Sequence, residues 1–202
     1  MAEAMKYGEE EFEVRLPAEL IAAELEPNRV DLPQRTPEEH IRWALDHPID
    51  SAPLRELVRA GEKVCIVISD VTRRWQSPET YLPILVELEA AGIRDEDMLI
   101  ISATGTHRRQ TPEEHVGLVT QAVYDRIRLV DHQCTEEEQL AYVGTTTRGT
   151  PVYLDRRVLA CDKVILTGGV VYHFMAGFGG GRKSILPGIA GRETIMKNHN
   201  LA

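Results

Sequence analysis

The amino-acid sequence predicts an α/β fold with a mainly parallel sheet flanked by helices. Continuous apolar runs at residues 63–69, 98–102 and 163–167 are typical of parallel strands buried on both faces. Segments with helical periodicity lie between these runs, and strands that alternate with helices indicate a parallel sheet. Hydrophobic residues make up 43% of the chain and charged residues 27%, which are globular values. We expect one α/β domain over residues 1–202.

The elements before the first apolar run are short. Residues 11–16 alternate apolar and polar side chains and predict a strand, and the Pro-rich stretch 27–35 predicts a loop. Thr36-Pro37-Glu38-Glu39 combines an N-cap residue, a proline in the first turn and a glutamate three residues after the cap. A helix should therefore begin there and end near His47, and a second, short helix is expected over residues 54–60.

The rest of the chain alternates between strands and helices. Thr111-Pro112-Glu113-Glu114 repeats the capping signature and predicts another helix start. In chain order we expect a strand at 63–69, a helix at 79–91, a strand at 98–102, a helix at 111–126, a strand at 127–131, short strands within 139–154, a strand at 163–167 and a helix from 192 to 199. This pattern predicts a Rossmann-like sheet, whose ligands bind at the carboxyl ends of the strands.

Polar side chains follow the predicted strands at that edge. Asp70, Thr72 and Arg73 come after the first apolar run, His107 follows the second, and His173 follows the last. Arginine can hold a carboxylate or phosphate with two hydrogen bonds, and histidine titrates near neutrality and can act as a general base. A solvated loop with an aspartate cap, or a surface histidine, would leave the same pattern.

The segment 168–184 is rich in glycine, and seven of its seventeen residues are Gly or Ala. Both the phosphate-loop pattern that ends at Lys183-Ser184 and the dinucleotide pattern that starts at Gly177 need glycine at position 182, where Arg182 stands. The spacing therefore supports neither NTP hydrolysis nor NAD binding. A loop that faces an anion remains, with Lys183 as a candidate nucleophile or covalent anchor. Alternatively, the glycines only let a helix pack against the sheet.

Charge and cysteine content narrow the class of protein. Lys plus Arg number 23 and Asp plus Glu 32, and the net charge of −9 speaks against nucleic acid or anionic membrane as partners. No apolar run approaches the roughly 18 residues of a membrane helix. The three widely spaced cysteines suit a reducing, cytoplasmic location. The residues form no HxH, HExxH or Cys/His cluster that would predict a metal site on its own.

Taken together and in order, these residues resemble the N-terminal domain of the nickel-pincer lactate racemase family. The resemblance spans residue 12 to the end, and the stretch around Lys183 is its most specific part. The motifs that carry it are Asp70-Val71-Thr72-Arg73, Thr104-Gly105-Thr106-His107, Tyr172-His173, Gly179-Gly180-Gly181-Arg182-Lys183-Ser184-Ile185-Leu186-Pro187-Gly188 and Met196-Lys197-Asn198-His199.

The resemblance implies a covalently bound cofactor. The family carries a nickel-pincer nucleotide, nickel pyridinium-3,5-bisthiocarboxylic acid mononucleotide, in which two sulfur atoms and one carbon hold the metal. Lys183 matches the lysine that attaches this cofactor through a thioamide, and His199 matches the histidine that completes the nickel coordination. Asp70, Thr72 and Arg73 match the loop that contacts the cofactor. Cofactor-synthesis proteins would be partners.

The resemblance also implies racemisation or epimerisation of a lactate-like 2-hydroxy acid. His107 and His173 match two catalytic histidines that exchange protons with the substrate hydroxyl on opposite faces, and Arg73 matches the group that holds the substrate carboxylate. A histidine cannot remove the weakly acidic Cα–H as a proton, so a hydride leaves while a base takes the hydroxyl proton. Returning the hydride to the other face inverts the centre.

Relatives in this family are longer and have a C-terminal domain that closes the cleft. We therefore expect this chain to be the cofactor-carrying half of a two-domain enzyme, with weak or no activity alone. Trp75-Gln76 stands where many relatives have a proline-containing turn, which suggests a different substrate. A non-catalytic domain that binds a nucleotide or another anion, a truncated inactive fragment and a purely structural domain are the alternatives.

Overall fold

The computed structural model describes residues 2–24, 28, 30–31, 33–73, 78–173 and 176–200. The chain divides into two compact units, Met1–Gln34 and Arg35–Ala202. Trp75 and Gln76, which are expected to indicate a different substrate, lie outside the described residues.

The first unit contains an antiparallel hairpin of β1 (Ala2–Tyr7) and β2 (Glu10–Arg15), followed by a short 3-10 helix at Ala18–Leu20. The strand predicted at 11–16 is confirmed as β2. Strand β1 was not predicted, because it has no β-branched residue and depends on its pairing with β2. Gly8 adopts a φ of 67° in the turn, a conformation that glycine reaches without strain.

The second unit holds the sheet and the helices around it. In chain order its elements are α1 (Pro37–Asp46), α2 (Leu54–Leu57), β3 (Val64–Ser69), α3 (Tyr81–Ala90), β4 (Met98–Ala103), α4 (Pro112–Val119), α5 (Gln121–Tyr124), β5 (Arg128–Asp131), β6 (Leu140–Thr145), β7 (Pro151–Asp155), α6 (Arg156–Leu159), β8 (Lys163–Leu166), β9 (Tyr172–His173), β10 (Gly177–Phe178) and α7 (Arg192–His199), with 3-10 turns at Pro78–Thr80, Asp95–Asp97, Glu137–Gln139 and Gly181–Ser184.

Four strands form the parallel sheet in the order β5-β4-β3-β8. The predicted mainly parallel α/β fold is confirmed. The chain adds β4 and β5 on one side of β3 and then returns to place β8 on the other side. The strand order therefore reverses between β3 and β8, and this switch point is where open α/β sheets bind ligands.

The core lies on both faces of β3, whose residues Val64 to Ile68 are fully buried. One face packs against Tyr81, Leu85 and Leu88 of α3. The other face packs Cys65 and Val67 against Ile189, which belongs to the segment after the glycine-rich turn. The sheet is thus covered on both sides, as the continuous apolar run of β3 predicts.

Both predicted capping boxes are present. The Thr36 hydroxyl accepts a hydrogen bond from the Glu39 amide at 3.2 Å, and the Thr36 amide donates to the Glu39 carboxylate at 2.7 Å. Thr111 and Glu114 repeat the arrangement at the start of α4. Because these contacts are local, the sequence pattern is enough to predict them.

Two helix predictions need correction. The helix predicted over 111–126 breaks at Thr120, whose φ of 76° separates α4 from α5. Val119 and Val123, on either side of the break, are both fully buried. The helix predicted over 54–60 ends at Leu57, because Val58 turns to an extended conformation and enters the core.

The antiparallel pair of β6 and β7 confirms the short strands predicted within 139–154 and supports the last helix. The Tyr153 amide donates to the Thr194 hydroxyl at 2.9 Å, and the Gly191 amide donates to the Tyr153 carbonyl at 2.9 Å. Strand β7 therefore fixes the start of α7, the helix that carries His199. Among the described residues, no helix is long and apolar enough to cross a membrane.

Candidate active site

A cavity of about 460 Å³ opens where β3, β4 and β8 end. It lies at the switch point of the sheet, where the carboxyl ends of parallel strands are expected to form a site. Six of the seven predicted site residues line it: Asp70, Arg73, His107, His173, Lys183 and His199. The seventh, Thr72, is bonded to Asp70 beside the cavity. Arg182 is exposed and is not among the described residues that line the cavity.

Asp70 and His107 form a hydrogen-bonded pair. The Asp70 side chain is buried, and its Oδ2 lies 2.5 Å from His107 Nδ1. Its Oδ1 accepts from the Thr72 amide at 2.8 Å and from the Thr72 hydroxyl at 2.6 Å. A carboxylate only accepts, so His107 donates from Nδ1 and keeps the lone pair on Nε2. His107 is therefore oriented as a base at the cavity wall.

The loop that carries His107 is tied to the glycine-rich segment. Gly105 has a φ of 56°, and its amide donates to the Gly188 carbonyl at 2.9 Å. The Thr104 hydroxyl donates to the His132 carbonyl at 2.5 Å. These bonds fix both ends of the turn before His107.

The glycines of the segment 168–188 allow backbones to approach each other closely. Gly180 has a φ of 69°, and a Cβ there would lie 2.8 Å from the Gly169 carbonyl oxygen. A Cβ on Gly188 would overlap the carbonyl group of Ser184. The segment thus folds back on itself and presents Lys183 from the 3-10 turn Gly181–Ser184.

Lys183 belongs to a cluster of basic groups in the cavity. Burial, and then the charge of Arg73, lower the pKa of Lys183 below its usual range. Desolvation, and then the charges of Lys183, Arg73 and His199, lower the pKa of His173. Desolvation and the neighbouring positive charges both disfavour the protonated form of each group. An anion bound among them would relieve this repulsion.

The two remaining histidines have assigned ring nitrogens. The Ala176 amide donates to His173 Nδ1 at 3.2 Å, so the neutral ring carries its proton on Nε2. His199 Nδ1 lies 2.8 Å from the Ile195 carbonyl oxygen and donates to it. The lone pair of His199 therefore lies on Nε2, which could bind a metal ion. A backbone carbonyl on the other nitrogen is the usual partner of a metal-binding histidine.

Across the described part of the chain, no group of three or more His, Cys, Asp or Glu side chains is placed to hold a metal ion. His199 contributes one imidazole nitrogen, Nε2, that could bind a metal. A metal here would need most of its ligands from elsewhere.

Gln110 and Asp131 stand behind the site and were not singled out from the sequence. Gln110 bonds to the turn that follows Asp70, and Asp131 bonds to Gln110. Asp131 ends β5 at the same edge of the sheet as Asp70. A polar residue at the carboxyl end of a parallel strand is a signal that the sequence contains. Gln110 has no comparable signal, because its role depends on three strands that come together only in the fold.

The fold and cavity define a class: an α/β domain with a basic, histidine-containing site at the switch point of a parallel sheet. Over residues 7–202 the chain matches the family described as the lactate racemase N-terminal domain, and it belongs to that family.

Named relatives agree with this family. The chain is 36% identical over 163 residues to a lactate racemase of Lactiplantibacillus plantarum, which covers 81% of this chain and 38% of that protein. It is 31% identical over 194 residues to a lactate racemase of Thermoanaerobacterium thermosaccharolyticum, which covers 96% of this chain and 45% of that protein. The chain thus spans less than half the length of these curated relatives.

Solved structures share the fold. The lactate racemase apoprotein from Thermoanaerobacterium thermosaccharolyticum superimposes with a TM-score of 0.83 at 30% identity, over 98% of this chain and 46% of that one. A protein from Thermotoga maritima superimposes with a TM-score of 0.64 at 26% identity, over 80% of this chain and 40% of that one.

Proposed function

We propose that this chain is the cofactor-carrying part of a 2-hydroxy acid racemase or epimerase of the lactate racemase type. The observation that carries the proposal is the pair of histidines at one cavity with opposite tautomers. His107 offers a lone pair on Nε2, whereas His173 carries a proton on Nε2. An inversion with proton exchange on both faces requires one neutral histidine as the base and one protonated histidine as the acid.

In the proposed reaction, His107 Nε2 takes the hydroxyl proton of the substrate while the Cα hydrogen leaves as a hydride. The product of this step is the 2-keto acid. When the hydride returns to the opposite face, His173 in its protonated imidazolium form donates its Nε2 proton to the carbonyl oxygen and becomes neutral, and the inverted alcohol forms. In the reverse direction the two histidines exchange roles.

Arg73 is proposed to hold the substrate carboxylate. It lines the same cavity and is close enough to Lys183 and His173 to lower both of their pKa values. A guanidinium can bind both carboxylate oxygens at once, which would fix the hydroxyl-bearing carbon relative to the histidines.

The residues present fit the nickel-pincer nucleotide. Lys183 has a lowered pKa, which favours the neutral amine that an acylation requires. His199 Nε2 is available as a metal ligand, and Gly180 lets the backbone before Lys183 approach Gly169 closely. We propose that Lys183 would hold the cofactor through a thioamide and that His199 would bind its nickel. When bound, the cofactor would supply the hydride acceptor.

The proposal has implications for partners and location. A C-terminal domain, as in the longer relatives, would complete the enzyme, and cofactor-synthesis proteins would load it. A cytoplasmic location is supported by the three cysteines, which are free thiols.

The test is the mass of the intact chain after production together with cofactor-synthesis proteins. We expect a covalent adduct and bound nickel, both lost in Lys183→Ala and retained in the control Lys163→Ala, which changes a half-buried lysine on β8. Absence of both adduct and nickel from the parent chain would contradict the proposal. An adduct without racemisation in a full-length context would favour a non-catalytic binding domain instead.

A further inference from the structure

Gln110 connects three strand ends behind the Asp70–His107 pair. Its side-chain carbonyl accepts from the Val71 amide at 2.6 Å. Its Nε2 group donates to the Ser102 hydroxyl at 2.7 Å and to Asp131 Oδ1 at 2.8 Å. The orientation of the amide is unambiguous, because a flipped group would set its NH₂ against the Val71 amide and its oxygen against a carboxylate.

Asp131 holds Gln110 from the end of β5. Its Oδ2 accepts from the Gln110 amide at 2.8 Å, and its Oδ1 lies 2.8 Å from His115 Nε2. The Asp131 side chain is only 6% exposed, so these bonds form with little competition from water. Gln110 is thus bonded to Asp131 through both its backbone and its side chain.

The turn that Gln110 binds also orients the proposed base. Val71 directly follows Asp70, whose carboxylate contacts His107 Nδ1. The Arg73 amide donates to the Asp70 carbonyl at 2.9 Å and closes the turn. Gln110 is the side chain that links this turn to the next two strands of the sheet.

We propose that Gln110, held by Asp131, is a positioning residue that fixes the Asp70 turn and thereby selects the Nδ1–H tautomer of His107. Without this bond, the turn would lose its link to the next two strands, and the Asp70 carboxylate, although still bonded to Thr72, would shift relative to the His107 ring. The hydrogen bond on one ring nitrogen decides which nitrogen keeps the lone pair. The consequence for turnover rests on the proposed function, whereas the effect on the tautomer does not.

The test is the tautomer of His107 in the full 202-residue chain, read from long-range ¹H–¹⁵N correlations at a pH where the imidazole is neutral. We expect Nδ1–H to be the major form in the parent chain. Gln110→Glu places two carboxylates against each other, and we expect Nδ1–H to become the minor form. Asp131→Asn removes one acceptor, and we expect a smaller change in the same direction.

The double variant Gln110→Glu/Asp131→Asn should restore the parent tautomer. The glutamate at position 110 would still accept a hydrogen bond from the Val71 amide. The side-chain amide at position 131 would donate to this glutamate, and its oxygen would accept from the backbone amide of residue 110. A loss in the single variant that the double variant recovers identifies the pairing itself as the cause.

Leu88→Ala is the matched control, because it removes a fully buried side chain from α3 without touching the network. We expect a lower melting temperature and an unchanged His107 tautomer. An unchanged tautomer in folded Gln110→Glu would overturn the proposal, as would an equal change in Leu88→Ala. If Gln110→Glu does not fold, Asp131→Asn and the double variant decide the question by the same criterion. A tautomer change in a chain that takes up neither adduct nor nickel when produced with cofactor-synthesis proteins would support the positioning role and reject only the proposed function.

Discussion

At the scale of single residues, the two cavity histidines are distinguished by what contacts Nδ1. A carboxylate accepts from His107 Nδ1, whereas a backbone amide donates to His173 Nδ1. The neutral forms of the two rings therefore keep their proton on different nitrogens, Nδ1 in His107 and Nε2 in His173. The His107 contact joins residues 37 positions apart in the sequence, whereas the His173 contact is local.

The histidine pair leads to a prediction about turnover. His107→Gln and His173→Gln should each lower racemisation by about 10²- to 10⁴-fold, which is the typical contribution of one general acid or base. The covalent adduct should remain in both variants. The measurement is the conversion of one lactate enantiomer to the other by chiral chromatography. His47→Gln, at an exposed position, serves as the control. Full activity in both cavity variants would reject the two-histidine mechanism.

The coupling of Lys183 to Arg73 leads to a prediction about pH. Arg73 lowers the pKa of Lys183, so Arg73→Met should raise that pKa, because removal of a positive charge favours the protonated amine. Acylation of Lys183, followed by mass spectrometry across a pH series, should then require a higher pH for the same rate. Arg42→Met on the exposed face of α1 should leave the profile unchanged. A profile that does not move in Arg73→Met would show that the two charges do not interact.

At the scale of elements, the glycine-rich turn is rigid because its backbones touch. Gly188→Ala would force a Cβ against the Ser184 carbonyl, and we expect the free energy of unfolding to fall by about 1–3 kcal/mol. Gly117→Ala provides the contrast, since that glycine lies on α4 with open space around it. There we expect a gain of about 0.5–1 kcal/mol. Urea unfolding measures both, and equal effects would mean that the turn relaxes around the new side chain.

Asp155 fixes the start of α6 and joins it to β5. Burial raises the pKa of Asp155, but hydrogen bonds from Arg157 and His132 more than offset this and lower it to about 2. Because the folded pKa lies below the ordinary value of 3.8, the stabilisation is present above pH 3.8 and disappears as the pH falls through about 2.

We therefore expect Asp155→Asn to lose about 2 kcal/mol at pH 7 and to show a shallower decline in stability between pH 4 and pH 2. Denaturant unfolding at several pH values measures this, with Asp46→Asn at an exposed position as the control. A decline as steep as that of the parent chain would exclude Asp155 as the source.

The sequence predicts those elements whose signals are local. Thr36 and Thr111 predict the starts of α1 and α4 correctly, because each capping contact joins residues only three positions apart. The break at Thr120 is not predictable in this way, because the residue that adopts the positive φ is neither glycine nor proline. The network at Gln110 is also not predictable from the sequence, because Val71 and Asp131 are distant from Gln110 along the chain.

At the scale of the whole molecule, the cavity leaves its proposed base in contact with water. His107 is 41% exposed on its side chain, although Asp70 beneath it is buried. Hydride transfer and proton exchange benefit from a site that excludes water, because electrostatic interactions strengthen there and side reactions are suppressed. The longer relatives contain more than twice the length of this chain, which leaves room for elements that would cover such a site.

We therefore expect this chain, once it carries the adduct, to racemise lactate far more slowly than a full-length relative carrying the same cofactor. The reason is that attachment depends on Lys183 and its turn, which are present, whereas the exclusion of water depends on covering elements. The comparison requires equal adduct occupancy by mass spectrometry, followed by turnover measured with both enantiomers of lactate. A matched rate would show that the sheet, the glycine-rich turn and the two histidines are sufficient for the complete reaction.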